Sequence, residues 1–520
     1  MSIIHQVHDW LNFYLRWSFY CASFPVRILG LLSSRRKDLI KPISEYALRT
    51  RLKSAETYSE WKSIAVQIDA LSNNISWKIS SSSERYDHRL INSRLAILRS
   101  FKLQDMEALK YTIRSGLLRN LGGIIEKPLY SELVLGTKAL IEDYIMQICT
   151  QIDTIADCTS ETHMTLEDKK IFLRDIEQSY GRTAILLHGG ASFGLYHLGV
   201  MKTLFENNLL PRIFCGTSIG ALIAALICTH TDAELPSIFM SEGINLEAFR
   251  KATDIGYLSK NYPLAATVWR KIKRLLTERV LLDVNVIESC VKDNLKDITF
   301  EEAFVKTARV LNIIVESSRQ TGMTMVLNHL TAPTVLIRSA AAASLAMGGI
   351  YMPVSLLAKD VNGVITEWVP TFIKYNYVPN STTDTPQLRI AAMFGINFWI
   401  LSEASPILAI SSIINVSRPV LKLVNFVGHE VQHRIGQLAR VINSNWMNTL
   451  FETPNYGRQI KIRPDLIYQD YLQLFSTPSH KSLAYWIKKG EKSTWPLLNI
   501  VNWSLLIENK IFEGAKLSNT

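Results

Sequence analysis

Two glycine-containing turns, each between a short apolar run and a helical pattern, constrain the fold of this chain more than any other feature. The first unit spans 183–208 and places the loop LHGGASFG (187–194) after the run TAILL. The second unit spans 212–230 and places GTSIG (216–220) between RIFC and ALIAALICTH. Strand, turn and helix in this order predict parallel strands joined by helical crossovers.

Later segments continue the same alternation. RVLNIIVES (309–317) is typical of a further buried strand, and PTVLIRSAAAASLAM (333–347) is typical of a helix. LRIAAMFGINFWIL (388–401) is expected to close the sheet. We therefore predict an α/β fold with a mainly parallel sheet and flanking helices, between helical N-terminal and C-terminal regions.

The regions before and after this alternation differ from it in pattern. YSEWKSIAVQIDAL (58–71) and GTKALIEDYIMQI (136–148) carry apolar residues at three- and four-residue spacing, which predicts helices. The polar stretches 80–89 and 158–170 are interpreted as connections. The predicted division of the chain is an aromatic N-terminal segment (1–37), a helical N-terminal domain (38–181), an α/β domain (182–386) and a mostly helical C-terminal extension (387–520).

Charge and cysteine content indicate which kinds of binding partner and which cellular compartment suit this chain. The chain has 520 residues and a formal net charge of +11, which suits an anionic surface. Basic residues are not interleaved with aromatic residues in runs, so we predict no nucleic-acid partner. The six cysteines are scattered and form no C-x-x-C pair, which favours reduced thiols in a protein facing the cytosol.

The N-terminal segment WLNFYLRWSFYCASFPVRILGLL (10–32) is apolar and aromatic. Arg16, Pro25 and Arg27 interrupt it, so a spanning helix or a signal peptide is disfavoured. The basic stretch SSRRK (33–37) follows. This arrangement predicts a segment that lies in a membrane interface, and the alternative is a buried helix of the N-terminal domain.

The turn GTSIG (216–220) matches the G-x-S-x-G pattern of a nucleophile elbow. Gly216 and Gly220 allow the sharp turn from strand to helix that presents Ser218 at the carboxyl end of the sheet. The following helix directs the positive end of its dipole at the same place. Ser218 is therefore the candidate nucleophile.

A serine nucleophile acting on an ester also needs hydrogen-bond donors for the oxyanion. Gly189, Gly190 and Ala191 follow the preceding strand and can offer backbone N–H groups with little side chain in the way. The spacing of these glycines does not fit G-x-G-x-x-G, and the Gly-Lys-Ser/Thr of a P-loop is missing. An oxyanion loop is thus favoured over a phosphate-binding loop.

Histidines close to these turns are candidates for a triad. His188 and His197 are nevertheless expected to be packed, hydrogen-bonded side chains and not catalytic bases. The H-x4-D spacing of His163 and Asp168 falls in a polar stretch and is interpreted as a chance match. His429 and His433 lack the other ligands of a zinc site, so we predict no metal and no cofactor.

Several stretches together resemble one known family, the patatin-like lipases, and within it the fungal triacylglycerol lipase branch found on lipid droplets. The resemblance extends over roughly residues 40–510. It rests on the stretches 120–145, 186–236, 330–344, 356–363 and 488–498.

The resemblance implies a Ser–Asp dyad in which the aspartate accepts the proton of the serine hydroxyl. Ser218 would be the nucleophile, and 189–191 would be the oxyanion loop, with Ala191 where the family has glycine. The family carries its aspartate in a D-G turn six residues before the aspartate of a D-L-P tripeptide. If Asp384-Thr385-Pro386 corresponds to that tripeptide, Val378 and Pro379 replace the D-G turn.

Two interpretations of this replacement stay open. In the first, another acid completes the dyad, and Asp384 is better placed than Asp360 or Glu367. The expected function is then hydrolysis of acyl esters of triacylglycerol or related lipids, at a lipid droplet or the cytosolic face of the endoplasmic reticulum membrane. In the second, the chain is a catalytically impaired relative that binds a lipid droplet or membrane. The sequence specifies no oligomeric state.

Overall fold

The computed structural model of the chain defines the positions of most, but not all, of its residues. It describes residues 43–71, 74–101, 105–158, 164–189, 191–240, 242–247, 284–316, 324–345, 354–369, 386–404, 458–467, 469–470 and 478–517. The aromatic segment 1–37, Gly190, His163, Asp384 and the Val378-Pro379 pair all lie outside the described residues.

The N-terminal region is helical, as the apolar spacing predicts. Its helices are α1 (Ile43–Ser54), α2 (Tyr58–Leu71), α3 (Ile75–Ile79), α4 (His88–Ser100), α5 (Met106–Gly116), α6 (Ala139–Asp157) and α7 (Leu166–Tyr180).

The rest of the chain alternates strands with helices and then ends in two helices. The strands are β1 (Arg182–His188), β2 (Ile213–Thr217), β3 (Val310–Glu316), β4 (Thr324–Leu327), β5 (Leu357–Lys359), β6 (Ile365–Glu367), β7 (Ile396–Glu403) and β8 (Gln459–Ile462). The helices are α8 (Tyr196–Glu206), α9 (Ile219–Thr229), α10 (Leu235–Ile238), α11 (Val284–Leu295), α12 (Phe300–Thr307), α13 (Ile337–Leu345), α14 (Pro386–Phe394), α15 (His480–Thr494) and α16 (Leu498–Leu517).

Six strands of the described chain form one sheet in the order β4-β3-β2-β1-β7-β8. The pairs within β3-β2-β1-β7-β8 are parallel, and β4 is antiparallel to β3. The prediction of an α/β fold with a mainly parallel sheet is therefore confirmed. The sheet extends beyond residue 386, because β7 pairs with β1 at its centre and β8 forms the edge.

The two faces of the sheet are covered by different cores, since side chains alternate along each strand. On one face, Ile185 and Leu187 of β1 join the large core that includes α9 and the N-terminal helices. On the other face, Ala184 and Leu186 join a smaller core with Ile390 of α14. This alternation fixes the direction of the side chains at the carboxyl ends of the strands.

One polar stretch is more structured than its composition indicated. The interpretation of 158–170 as a connection is wrong at its C-terminal end, because α7 begins at Leu166. The Thr165 side chain accepts a hydrogen bond from the N–H of Asp168 (3.1 Å), and its hydroxyl donates to the Asp168 carboxylate (2.7 Å). Thr165 is therefore the N-cap of α7, and Asp168, three residues later, is its partner in the capping hydrogen bonds.

A buried arginine joins the N-terminal region to the sheet and to the last helix. The Arg119 side chain is 2 % exposed, and its guanidinium contacts Glu508 of α16 at 2.7 Å. It also donates to the Thr183 hydroxyl at the start of β1 and to the Gly181 carbonyl, both at 2.8 Å. The Glu508 carboxylate in turn accepts the Thr183 N–H at 2.8 Å. Three parts of the chain are thereby connected at one point.

We expect Arg119→Met to lower the free energy of unfolding by about 3 kcal/mol, because it leaves a largely buried carboxylate without its cation. Arg99→Met is the matched control, since the Arg99–Asp143 pair is more than half exposed on both sides. That substitution should cost less than about 1 kcal/mol. Urea denaturation followed by circular dichroism measures both, and equal losses would contradict a special role for Arg119.

Candidate active site

The turn between β2 and α9 has the geometry of a nucleophile elbow. Ser218 stands between the two elements with φ 56° and ψ −129°. A positive φ is unusual for a residue with a side chain, and such strain costs on the order of 1–3 kcal/mol. The strain indicates that the surrounding contacts, and not local preference, hold the serine in this position.

Close packing explains why small residues flank the serine. A Cβ on Gly220 would lie 2.2 Å from the Leu187 carbonyl oxygen of β1, and one on Gly216 would lie 2.4 Å from the Cα of Ala221. Any larger residue would push α9 away from the sheet. The two glycines of GTSIG therefore allow α9 to begin directly against β1, which brings its N-terminus to the carboxyl edge of the sheet.

Hydrogen bonds of the backbone and of a serine side chain hold the Ser218 turn in place. The Ser218 N–H donates to the hydroxyl of Ser344 in α13 at 3.0 Å. That hydroxyl donates to the Ile314 carbonyl of β3 at 2.7 Å. The Ser218 carbonyl accepts the Ala221 N–H at 3.0 Å, as the first bond of α9. The sequence analysis missed Ser344, since a serine in an alanine-rich helix carries no signal of its partner.

The glycine loop after β1 lies beside this elbow. Gly189 has φ +69°, and the chain then enters a short 3₁₀ helix, Ala191–Leu195. A Cβ on Gly194 would lie 2.6 Å from the Cγ2 of Ile219, so the loop and the start of α9 are in direct contact. The loop is thus near enough to the elbow to offer backbone donors, while Gly190 itself lies outside the described residues.

The N–H of Gly189 already has a partner. It donates to the Thr217 hydroxyl at 3.3 Å, directly before the elbow serine. The N–H of Gly189, the first residue of the predicted oxyanion loop, is consequently engaged within the protein. Donors for an oxyanion would come from the N–H groups that follow it in the loop, including that of Ala191.

His197 is a structural residue, as expected for a histidine in this helix. It is fully buried in α8, and its Nδ1 lies 2.7 Å from the hydroxyl of Ser402 in β7. Ser402 donates to the Tyr196 hydroxyl at 2.7 Å, which donates to the Ile462 carbonyl at 2.9 Å. Burial lowers the pKa of His197 to about 3, so its imidazole is neutral at physiological pH.

His188 has more polar surroundings than His197. Its Nδ1 lies 3.3 Å from the Thr217 hydroxyl. In the sheet, His188 is in register with Thr217 of β2 on one side and with Glu403 of β7 on the other. Burial lowers the pKa of His188, and the Glu403 carboxylate acts in the opposite direction.

Glu403 is the functional candidate that the sequence analysis did not identify. It is 1 % exposed at the carboxyl end of β7, and its Oε2 accepts a bond from the Arg463 Nε at 2.8 Å. Its other oxygen, Oε1, is buried and has no hydrogen-bond partner among the residues described. The only available signal was a carboxylate at the end of an apolar strand, and its neighbours could not be identified without the strand order.

Two of the other acids weighed from the sequence belong to the β5–β6 hairpin. Asp360 is exposed in the turn of the β5–β6 hairpin, where its N–H donates to the Val364 carbonyl. Glu367 is exposed in β6 and accepts the Ser355 hydroxyl at 2.9 Å. Both are ordinary hairpin residues. Asp384 falls outside the described residues, two positions before the start of α14.

Within the ranges given above, no helix has both the length and the apolar content to cross a membrane. In the same ranges, no three His, Cys, Asp or Glu side chains are grouped so that they could hold a metal ion.

Comparison with known proteins gives consistent matches along the chain. Residues 185–371 match the family described as patatin-like phospholipase, and residues 43–178 match a domain of unknown function, DUF3336. Triacylglycerol lipase ptl1 of Schizosaccharomyces pombe is 32 % identical over 461 residues, which are 86 % of this chain and 82 % of that protein.

Two further relatives carry the same description. Triacylglycerol lipase ptl2 of Schizosaccharomyces pombe is 30 % identical, over 90 % of this chain and 75 % of that protein. Triacylglycerol lipase SDP1L of Arabidopsis thaliana is 28 % identical, over 91 % of this chain and 58 % of that protein.

Proposed function

The chain belongs to the patatin-like triacylglycerol lipase family, and from this premise we propose that it is a serine hydrolase of acyl esters of triacylglycerol or related lipids. The observation that carries the proposal is the conformation of Ser218. A strained serine between a buried strand and the N-terminus of a helix, beside a glycine loop, is the arrangement that esterases use for nucleophilic attack.

The proposed reaction uses these parts in order. The Ser218 hydroxyl attacks the acyl carbonyl, and backbone N–H groups of the 189–191 loop that follow Gly189 stabilise the resulting oxyanion. The α9 dipole supports the same negative charge. The tetrahedral intermediate then collapses, the acyl C–O bond breaks, and the alcohol leaves with the proton that Ser218 gave up. Water attacks the acyl-enzyme in the same way, releases the fatty acid and restores the Ser218 hydroxyl. No metal or cofactor takes part in this scheme.

The proposed acceptor of the serine proton is Asp384. It precedes α14, the helix that covers the sheet face onto which Thr217 and His188 project. The competing proposal is a catalytically impaired lipid-binding protein, which the replacement of the family's D-G turn by Val378-Pro379 favours. The two proposals differ in whether Ser218 reacts.

A fluorophosphonate probe tests the nucleophile. We expect the wild-type protein to be labelled at one site and Ser218→Ala to take no label, with at least a thousandfold loss of ester hydrolysis, on the order seen when a nucleophile is removed. Ser63→Ala, at an exposed serine of α2, is the control and should be labelled like wild type. A folded wild-type protein that takes no label and cleaves no ester would support the lipid-binding alternative.

The proton acceptor is tested separately. If Asp384 accepts the proton, Asp384→Asn should lower kcat by at least about a hundredfold, because an amide cannot take it. Asp360→Asn, in the exposed hairpin turn, should leave kcat unchanged. Turnover by Asp384→Asn equal to that of wild type would remove Asp384 from the mechanism.

We also propose that the protein docks on a lipid droplet or on the cytosolic face of the endoplasmic reticulum membrane. The aromatic segment 10–32 would enter the interface, and the net charge of +11 would favour anionic lipid. Deletion of residues 1–34 is expected to reduce co-flotation with phosphatidylserine-containing liposomes by at least about tenfold. Equal flotation of the full and shortened chains would contradict this role of the segment.

A further inference from the structure

Four polar side chains form a row at the carboxyl edge of the sheet, across four neighbouring strands. They are Thr217 of β2, His188 of β1, Glu403 of β7 and Arg463, directly after β8. The first three belong to the same alternation as Cys215, Leu186 and Leu401, which face the smaller core. The row therefore lies on one face of the sheet, beside the elbow.

Hydrogen bonds join the members at each end of this row, and strand register places its two central members, Glu403 and His188, side by side. Arg463 donates to one oxygen of Glu403 at 2.8 Å, and Glu403 stands in register with His188. His188 Nδ1 lies 3.3 Å from the Thr217 hydroxyl, which accepts the Gly189 N–H at the same distance. The row thus ends on the first peptide of the glycine loop and on the residue before Ser218.

The buried carboxylate of Glu403 is only partly paired among the residues described. A buried charge with an unpaired oxygen is unfavourable, and an apolar residue at the end of β7 would avoid this cost. Glu403 has one partner in Arg463 and leaves Oε1 for a donor on the side of β1. His188, in register with it on β1, is a described neighbour on that side whose ring can supply an N–H.

We propose that Glu403, His188 and Thr217 are positioning residues for the reaction at Ser218, an inference that rests on the proposed hydrolase function. The Glu403 carboxylate orients the His188 ring, and the ring orients the Thr217 hydroxyl. The hydroxyl holds the Gly189 peptide, so that the next N–H groups of the loop point to the oxyanion. None of the three is assigned a covalent or proton-transfer step.

Thr217 offers the most specific test, because one substitution removes its hydroxyl group and another keeps it. Thr217→Val keeps the shape and removes the hydroxyl, and Thr217→Ser keeps the hydroxyl. We expect Thr217→Val to lower kcat for a soluble short-chain ester about tenfold with KM unchanged, which corresponds to about 1.4 kcal/mol in the activation free energy. Thr217→Ser should restore most of that loss. Equal kcat values for wild type and Thr217→Val would overturn the proposal.

A double-mutant cycle then tests whether the row acts as one unit. Glu403→Gln should also lower kcat, and combining it with Thr217→Val should cost less than the product of the two separate losses. Glu367→Gln, at the exposed acid of β6, controls for the loss of one negative charge. Multiplicative losses would show that Glu403 acts independently of Thr217 and would contradict the proposal.

Two further measurements distinguish a failure of the hydrolase proposal from a failure of the positioning proposal. Thermal unfolding of each variant identifies a kcat loss that comes from misfolding, and Thr217→Val keeps the test valid if Glu403→Gln does not fold. Fluorophosphonate labelling of the same preparations reports on Ser218. If wild type is not labelled, the hydrolase proposal fails; if wild type is labelled and Thr217→Val turns over like wild type, only the positioning row fails.

Discussion

The Arg119 guanidinium is the contact on which the arrangement of the chain depends. It links the end of the N-terminal helices to the start of β1 and to α16, and it stacks on the rings of Tyr180 and Phe398. The two terminal guanidinium nitrogens find their partners on β1, α16 and the turn before β1, so burying this charge favourably requires these parts to assemble together. β1 is thereby anchored at its first residues, and its last residues carry the glycine loop to a fixed place beside the elbow.

The other end of β1 shows a second constraint. Here the backbone of a glycine packs directly against the backbone of the strand. The approach of Gly220 to the Leu187 carbonyl brings α9 against the strand, and the strain at Ser218 is the consequence. The hydrogen bond from Ser218 N–H to Ser344 helps to hold this strained conformation. Rigid contacts on both sides of the serine are what a preorganised oxyanion site requires, because donors that must reorganise stabilise the transition state less.

Local patterns predicted much of this structure. The helix α2 covers the predicted 58–71, and β2, α8 and α9 fall within one or two residues of their predicted ends, because apolar periodicity and glycine turns are local signals. Glu403 and its neighbours could not be predicted in this way. Their relation depends on β7 pairing with β1, more than two hundred residues away in sequence, and a strand order cannot be deduced from periodicity.

The central claim is that Ser218 and the glycine loop form one oxyanion-stabilising site. A crystal structure of the protein after reaction with a fluorophosphonate tests it most directly. We expect a single phosphonyl group on the Ser218 Oγ, with its phosphonyl oxygen about 2.7–3.1 Å from backbone N–H groups of the glycine loop after Gly189, including that of Ala191. An adduct on another residue, or a phosphonyl oxygen directed away from this loop, would contradict it.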